Sequence, residues 1–581
     1  MPPDGEPTMN TCLRMLLLGM VLPMATVLGA CENDRAAPAP IPSTAPEAKS
    51  ANQAESPPPW FIEVAGDRGI DFQHDSGARG RYRLPESLGA GAALFDADGD
   101  GDLDAYLVRG HDLDGSPDPT TSTNRFYLND GNGHFTDGTA NAGLGDAGYG
   151  TGVAVADIDG DGDLDLYLAN LGQDRLFIND GTGRFSLAGA EQLPGSADHS
   201  VAPSFLDFDR DGDLDLFIAR YMDWSPEIEV ECKNLIGDRD YCNPEIYGRG
   251  IADRLLENDG SGRFTDVSDT SGISTVTGTG LASASTDLDG DGWPDIFVAN
   301  DKTPDRLWIN QGDGTFKEEA GIRGCAMGLD GSPRAGMSVA FADLDRDGDF
   351  EIHVSNIDGE ADGLFQNNGG SFFDRAAGWG IAATSRNRTR WASHFRDFDL
   401  DGRPELLVAC GRVLRKADSV RPDHPYAEED LLYSFDEKDR FRKVPGAWPA
   451  DLPAEATHGV AVGDVDGDGH DDLLTVSRDG PAKLFLRNTT DAVPAPVRFD
   501  LRTPNGGPAI GAILEVTRGD ATTSYPIDTA GGYASASTHV VSVPGPVDSI
   551  SIRWGDGSTE IRQGPFESGG SIRIESDSPS P

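Results

Sequence analysis

Basic side chains are scarce in this chain. Across 581 residues, 47 Lys and Arg stand against 98 Asp and Glu, for a formal net charge of −51. That makes nucleic acid a poor partner, because phosphate contacts are made by Lys and Arg. Histidine is scarce too: ten are scattered along the chain, and none falls in an H-E-x-x-H spacing. No G-x-S-x-G elbow, P-loop or catalytic cysteine signature occurs, so several common catalytic chemistries have no anchor here. Apolar residues make up 37% of the chain and aromatics 8%. What the chain has in excess is glycine, 73 residues, with 38 prolines beside them. That mixture suits an all-β protein with many turns, and the length allows several domains.

The acidic residues are concentrated. The stretch from Asp157 to Asn170 reads DIDGDGDLDLYLAN, with carboxylates at alternating positions, then a glycine, then one more acid. Ca²⁺ takes about six to eight oxygen ligands, and alternating carboxylates on a sharp turn supply them. The glycine lets the chain turn back toward the ion. Carboxylates packed so closely repel one another unless a cation sits among them. A single copy could be an acidic surface turn, but the pattern occurs seven times. Its members at positions 1, 3, 5 and 9 are Asp96, Asp98, Asp100 and Asp104; Asp157, Asp159, Asp161 and Asp165; Asp207, Asp209, Asp211 and Asp215; Asp287, Asp289, Asp291 and Asp295; Asp343, Asp345, Asp347 and Glu351; Asp397, Asp399, Asp401 and Glu405; and Asp464, Asp466, Asp468 and Asp472. Position 6 is glycine in all of them. The expectation is a calcium protein with about seven ions. A recurring unit of this length signals a propeller, solenoid or array.

The EF-hand also begins D-x-D-x-D-G, but it needs a Glu at position 12 and helices on both sides. Position 12 here is Leu107, Leu168, Ile218, Val298, Val354, Val408 and Thr475. The flanks, such as Val153-Ala154-Val155-Ala156 and Leu164-Asp165-Leu166-Tyr167-Leu168, alternate like short strands. Each acidic loop therefore joins two strands of a hairpin.

The N-terminus reads as an export signal. Arg14 precedes the apolar run Met15 to Val27, followed by Leu28-Gly29-Ala30-Cys31. A short apolar segment ending in small residues is cleaved rather than membrane-spanning. Leu-Gly-Ala-Cys resembles the bacterial lipobox, which implies lipidation at Cys31; the alternative is an ordinary secretory signal with a chance cysteine. Residues before Met9 look unlike a signal, which raises Met9 as the start of translation. Residues 32–59 are rich in Ala, Pro, Ser and Glu without periodicity and read as a tether. These features predict an exported cell-envelope lipoprotein at the outer membrane or cell surface.

Most units read strand, acidic loop, strand, then a motif such as Asp174 to Phe185, in which Asn-Asp-Gly makes a tight turn between a third and a fourth strand. The last unit stops after Lys483-Leu484-Phe485-Leu486-Arg487-Asn488, with no fourth strand. Trp60 to Ala65 looks like an orphan fourth strand. Joining first to last removes the seam between exposed sheet edges. The fold class predicted is therefore all-β: a seven-bladed β-propeller over residues 60–490, closed by an N-terminal strand and followed by a small β-sandwich-like domain over 497–576, with a tail at 577–581.

These units resemble FG-GAP/VCBS repeats, the calcium-loop blades also found in integrin α-chain propellers. The stretch Leu84 to Leu107 and the cysteine-bearing insertion resemble the bacterial relatives of the cartilage acidic protein family. That resemblance implies a calcium loop between the first and second strands of each blade. It departs at Glu351 and Glu405, which stand where Asp is usual. After a hinge around 492–496, Ala509-Ile510-Gly511-Ala512, Gly531-Gly532-Tyr533 and Ile552 to Gly557 resemble the ASPIC/UnbV module. The strands expected there are Ala509–Val516, Tyr525–Thr529, Val540–Val543, Ser549–Trp554 and Ser571–Glu575.

Consecutive hairpins of a propeller alternate between its two faces. The acidic loops then share one face, and the long inserts Gly110–Ser122, Tyr221–Ile251 and Gly411–Glu429 share the other. Extended loops on a rigid scaffold commonly carry binding, though solvated decoration is the competing reading. In an exported protein, Cys232 and Cys242 in the longest insert predict a disulfide; Cys325 and Cys410 could pair but read better as buried thiols. No catalytic residue is assigned, although His394 and His458 fall where they could line the central channel. The leading reading is a calcium-binding, surface-tethered protein that recognises an extracellular protein or glycan. A polysaccharide-acting propeller enzyme and a structural spacer of the cell envelope are the alternatives.

Overall fold

The computed structural model describes residues 58–115, 122–195, 198–234, 237–416, 419, 421–489 and 493–576. The signal, Cys31, most of the tether and the tail at 577–581 lie outside the described residues. Seven blades of four antiparallel strands each are built from residues 61–487; six are separate four-stranded sheets, and that of blade 1 is extended to six strands by a hairpin from the C-terminal module. Blade 2 is typical: Tyr149–Ala156, Asp165–Leu171, Arg175–Asn179 and Phe185–Leu187, each strand paired with the next. The first strands of blades 1 to 7 begin at Ala92, Tyr149, Ser200, Gly280, Gly336, Arg390 and Thr457. Each packs against the first strands of both neighbouring blades, and blade 7 meets blade 1. The ring is closed, and the molecule is a seven-bladed β-propeller. Its closure is the predicted one: Phe61–Glu63 pairs with Phe485–Arg487 as the fourth strand of blade 7.

The alternating strand pattern explains the packing, since side chains of one strand point to opposite faces of the sheet. Each face of a blade meets the next blade. Between blades 2 and 3, for example, Ala154, Ala156, Tyr167 and Leu176 pack on Phe205, Leu216, Ile218 and Leu256. First and second strands are buried on both faces, which is why they read as nearly continuous apolar runs. Among the described residues no helix is long and apolar enough to cross a membrane.

The C-terminal module is a sandwich of a three-stranded and a four-stranded sheet around Phe499, Leu514, Val516, Ile550, Ile552 and Ile574. It departs from expectation in several places, and the strand expected over Ala509–Val516 runs instead over Ile513–Arg518. Pro496–Arg502 and Thr559–Phe566 are strands that were not predicted. The second is an edge strand whose side chains all keep some exposure, and its Gly-Pro disguises it. The segment expected as Tyr525–Thr529 is instead the end of Ala521–Pro526. From residue 527 the chain leaves the sandwich and enters the propeller axis. There Ala530–Gly531 and Ser535–Ala536 form a hairpin, and Ala536 pairs in parallel with Ala93 of blade 1.

Candidate metal-binding loops and the insert-bearing face

The seven acidic loops share one geometry. In blade 2, Asp157 accepts the backbone N–H of Gly160 at 2.9 Å and of Gly162 at 3.0 Å, so the loop wraps around its first carboxylate. The position-6 glycines all sit at φ between 94° and 96°, where a β-carbon would be strained. The position-9 acid is held from two sides. Asp165 accepts N–H from Ile158 at 3.1 Å and from Asn179 at 2.8 Å. The same pair of bonds holds Asp104, Asp215, Asp295, Glu351 and Asp472. Glu405 accepts from Phe398 in the same way.

This wrapping converges the carboxylates. Oxygens of Asp96, Asp98 and Asp100, of Asp157, Asp159 and Asp165, of Asp207, Asp209 and Asp215, of Asp287, Asp289 and Asp291, and of Asp343, Asp345 and Asp347 lie within 4.8 Å of one another. Burial raises the position-9 acids furthest, with neighbouring carboxylates adding to it: Asp104 and Asp165 to about 8, Asp215 to about 9 and Glu351 to about 8. Asp157 rises to about 6, and Asp207 and Asp397 to about 7, for the same reasons. Asp159 Oδ1, Asp207 Oδ1 and Asp343 Oδ1 are buried without a hydrogen-bond partner. A rigid cluster of oxygens with unspent lone pairs and excess negative charge fits a hard dication.

One recurring residue escaped the sequence reading. The Asn that ends the third strand, just before the turn, is more than a turn former. Asn179 Nδ2 donates to Ala97 O, at position 2 of the preceding blade's loop, at 2.8 Å. Asn129, Asn258, Asn310 and Asn367 reach Val465, Ile158, Phe208 and Leu288 in the same way, at 2.7 to 2.8 Å. Arg487 Nε substitutes in blade 7 and reaches Phe398 O at 2.9 Å. Blade 6 has Phe435 at this position. This bond ties each loop to the next blade except across the seam between blades 5 and 6, where Arg346 Nη2 of loop 5 instead donates to Gly402 O of loop 6 at 2.7 Å. The recurrence of Asn was the available signal.

The loop face is covered by the C-terminal module. Arg498 Nη1 donates to Asp464 at 2.6 Å, Arg553 Nη1 to Asp287 at 2.5 Å, and Ser524 N to Asp343 at 2.9 Å. The axial hairpin fills what would be a channel. Val153 N donates to Ala534 O at 3.1 Å, Tyr533 OH to Leu88 O at 2.9 Å, and Thr538 N to Val462 O at 3.0 Å. His394 and His458 do face the axis, as expected, but the hairpin that fills it packs against both. Both are buried. His394 Nε2 lies 3.1 Å from Val460 O. His458 stacks on Trp391 at 3.8 Å with Nδ1 against Leu88 O at 2.6 Å. Burial depresses the pKa of both rings, that of His394 to about 3.

On the opposite face the inserts lock together. Cys232 and Cys242 form a disulfide, with Cα atoms 5.2 Å apart, while Cys325 and Cys410 are buried free thiols. Asp240, beside the disulfide, is buried and accepts from Asn234 Nδ2, Tyr426 OH and Arg415 N at 2.9 to 3.0 Å. That joins the second long insert to the third. Glu229 accepts from Leu84 N at 3.0 Å and Trp224 Nε1 at 2.9 Å. Arg81 and Arg83 bridge to Asp112 and Asp114 of the first insert. Val230, Ile246 and Leu414 remain 41%, 55% and 38% exposed on this platform.

A family model for the FG-GAP-like repeat matches residues 96–168, 157–218 and 287–354. Cartilage acidic protein 1 of Xenopus tropicalis is 32% identical over 182 residues, covering 31% of this chain and 26% of that protein. Its Homo sapiens counterpart is 34% identical over 121 residues, covering 19% and 18%. The matched stretch thus spans about a quarter or less of these relatives' length. Among solved structures, the V. cholerae biofilm matrix protein Bap1 is 12% identical, with 82% of this chain and 100% of that chain covered at a TM-score of 0.37. The matched residues hold the acidic loops of blades 1 to 5, and over them the chain is similar to FG-GAP-like repeats.

Proposed function

Starting from an FG-GAP-repeat propeller, we propose a calcium-binding, surface-tethered extracytoplasmic protein whose insert-bearing face recognises a protein or glycan. The observation that carries this reading is the division of labour between faces. The loop face is occupied by the protein's own C-terminal module, and the axis is filled by residues 530–538. The insert platform is rigidly braced yet leaves apolar side chains exposed. Binding sites are commonly built from loops on such a scaffold. In this reading Asp96 to Asp104 and their six equivalents hold calcium, which stabilises the ring that presents the inserts. Fusion to a lipid-anchored tether at Cys31 would hold the platform away from the membrane.

The test is a calcium-dependent capture. The full chain is immobilised in Ca²⁺, exposed to a surface extract of the cells that live with its host, and eluted with EDTA. A discrete protein or glycan in the eluate supports the reading. Retention that survives alanine substitution of Val230, Ile246 and Leu414 together would move the site off this face. An empty eluate from folded, calcium-loaded protein would demote the metals to scaffolding.

A further inference from the structure

The module treats the seven loops unequally. Position-1 carboxylates generally spend two lone pairs on their own loop: Asp96, for instance, accepts from Gly99 N and Gly101 N. In loop 7, Asp464 makes the same two bonds and then accepts Arg498 on the oxygen that already holds Gly469 N. In loop 4, Asp287 accepts Gly290 N and Gly292 N and then Arg553, again on the shared oxygen. Both aspartate side chains are almost fully buried, at 1% and 4% exposure. A carboxylate has about four lone-pair sites, so these two keep one where Asp96, Asp157 and Asp397, with two own-loop bonds each, keep two. Among the described residues, no other position-1 carboxylate of the seven loops pairs with a module arginine. A guanidinium stays charged in proteins and repels a second cation in a poorly solvated setting.

We propose that Arg498 and Arg553 set the calcium affinity of loops 7 and 4, making them weak sites coupled to docking of the C-terminal module. The inference rests on the reading that the loops hold calcium. Because coupling is reciprocal, calcium entering these two loops loosens the arginine contacts by the same factor with which the arginines oppose calcium. The remaining loops keep their ions and hold the propeller closed. Calcium concentration then grades the hold on the module without unfolding the ring.

The test is a calcium isotherm of the chelator-stripped, full chain measured by competition with a chromophoric chelator. The wild type is expected to show two affinity classes, with two weak sites. The double substitution Arg498→Gln and Arg553→Gln is expected to tighten those two sites about tenfold, whereas Arg498→Lys with Arg553→Lys retains the charge and the weak class. Limited proteolysis of the connector at 490–496 supplies a second readout on the wild type. Cleavage is expected to rise over the calcium range that fills the weak sites. A single class of equal sites in the wild type overturns the proposal even if the Gln variant does not fold. So does a Gln isotherm that superimposes on the wild type or weakens. Absence of any calcium binding would instead remove the underlying reading of the loops.

Discussion

The two faces of this propeller are built by opposite means. The loop face is repetitive, acidic and covered by the chain's own module. The insert face is irregular, braced by single-use contacts and left partly apolar. On the loop face, seven copies of one turn hold the first and ninth carboxylates largely by backbone N–H groups, so the geometry is written locally. On the insert face, Asp240 and Glu229 each collect partners from distant segments. The difference teaches that repetition here serves the scaffold, while the features able to distinguish a partner were added between repeats.

The largest way to break this comparison is to strip the metal. Binding to the folded state alone contributes about 2.7 kcal/mol per site at a hundredfold excess over Kd. Chelation is therefore expected to lower the Tm by about 10 °C or more, read by calorimetry with and without EDTA. An unchanged Tm would contradict the assignment of the loops. The effect should fall on the loop face first, leaving the disulfide-bearing insert the last region to exchange its amides.

In the metal-free protein the pH dependence should run against habit. Asp104, Asp165 and Glu351 sit near 8 and Asp215 near 9 when folded, against about 4 in an unfolded chain. Between those values the folded state holds protons that the unfolded state has released. Stability contributed by these groups is complete below about pH 4 and is lost as pH rises toward 8. Thermal melts in EDTA should therefore fall from pH 5 to pH 8, by a few kcal/mol in all. In calcium the trend should vanish, because the ion replaces the protons.

The axial hairpin offers the next test. A β-carbon on Gly91 would lie 1.7 Å from Ala534 O. Gly91→Val should expel residues 530–536 at a cost of roughly 3 kcal/mol or more, detected as new protease cleavage near Tyr533. Ile246→Ala on the other face should change stability by less than about 0.5 kcal/mol. Opening the disulfide falls between these. Cys232→Ser with Cys242→Ser should cost about 2 to 3 kcal/mol locally and leave the calcium isotherm unchanged.

The loop face was legible in the sequence because its information is local: five fixed positions in nine residues name the ligands and the turn. Closure was legible because Trp60 to Ala65 and the truncated last unit complete each other. The axial hairpin was not, since Gly531-Gly532-Tyr533 carries no local sign that it lies inside another domain. Neither Arg498 nor Arg553 announces a partner more than thirty residues distant. The role of Asn179 and its equivalents fell between these cases. It repeats, but a turn explained it well enough to hide the bond to the neighbouring blade.

That bond supplies the finest test of the comparison, because it asks whether the loop face is uniform. Asn179→Ala removes the donor to Ala97 O and leaves that buried carbonyl short of a partner, which costs about 1 to 3 kcal/mol. Phe435 stands where the clamp is missing, between blades 5 and 6, and its ring is covered by Arg403 at 4.0 Å. Phe435→Ala should therefore disturb only its own packing and leave the loop of blade 5 unaffected. Hydrogen exchange at Ala97 and Leu344, the position-2 residues of the two loops, separates the cases. Faster exchange at Ala97 in Asn179→Ala, with Leu344 already fast in the wild type, would mark the blade 5–6 seam as the place where the ring opens first. Equal protection at both residues in the wild type would mean that packing alone holds the blades, and that the asparagine ring is ornament to a closure made by the apolar strands.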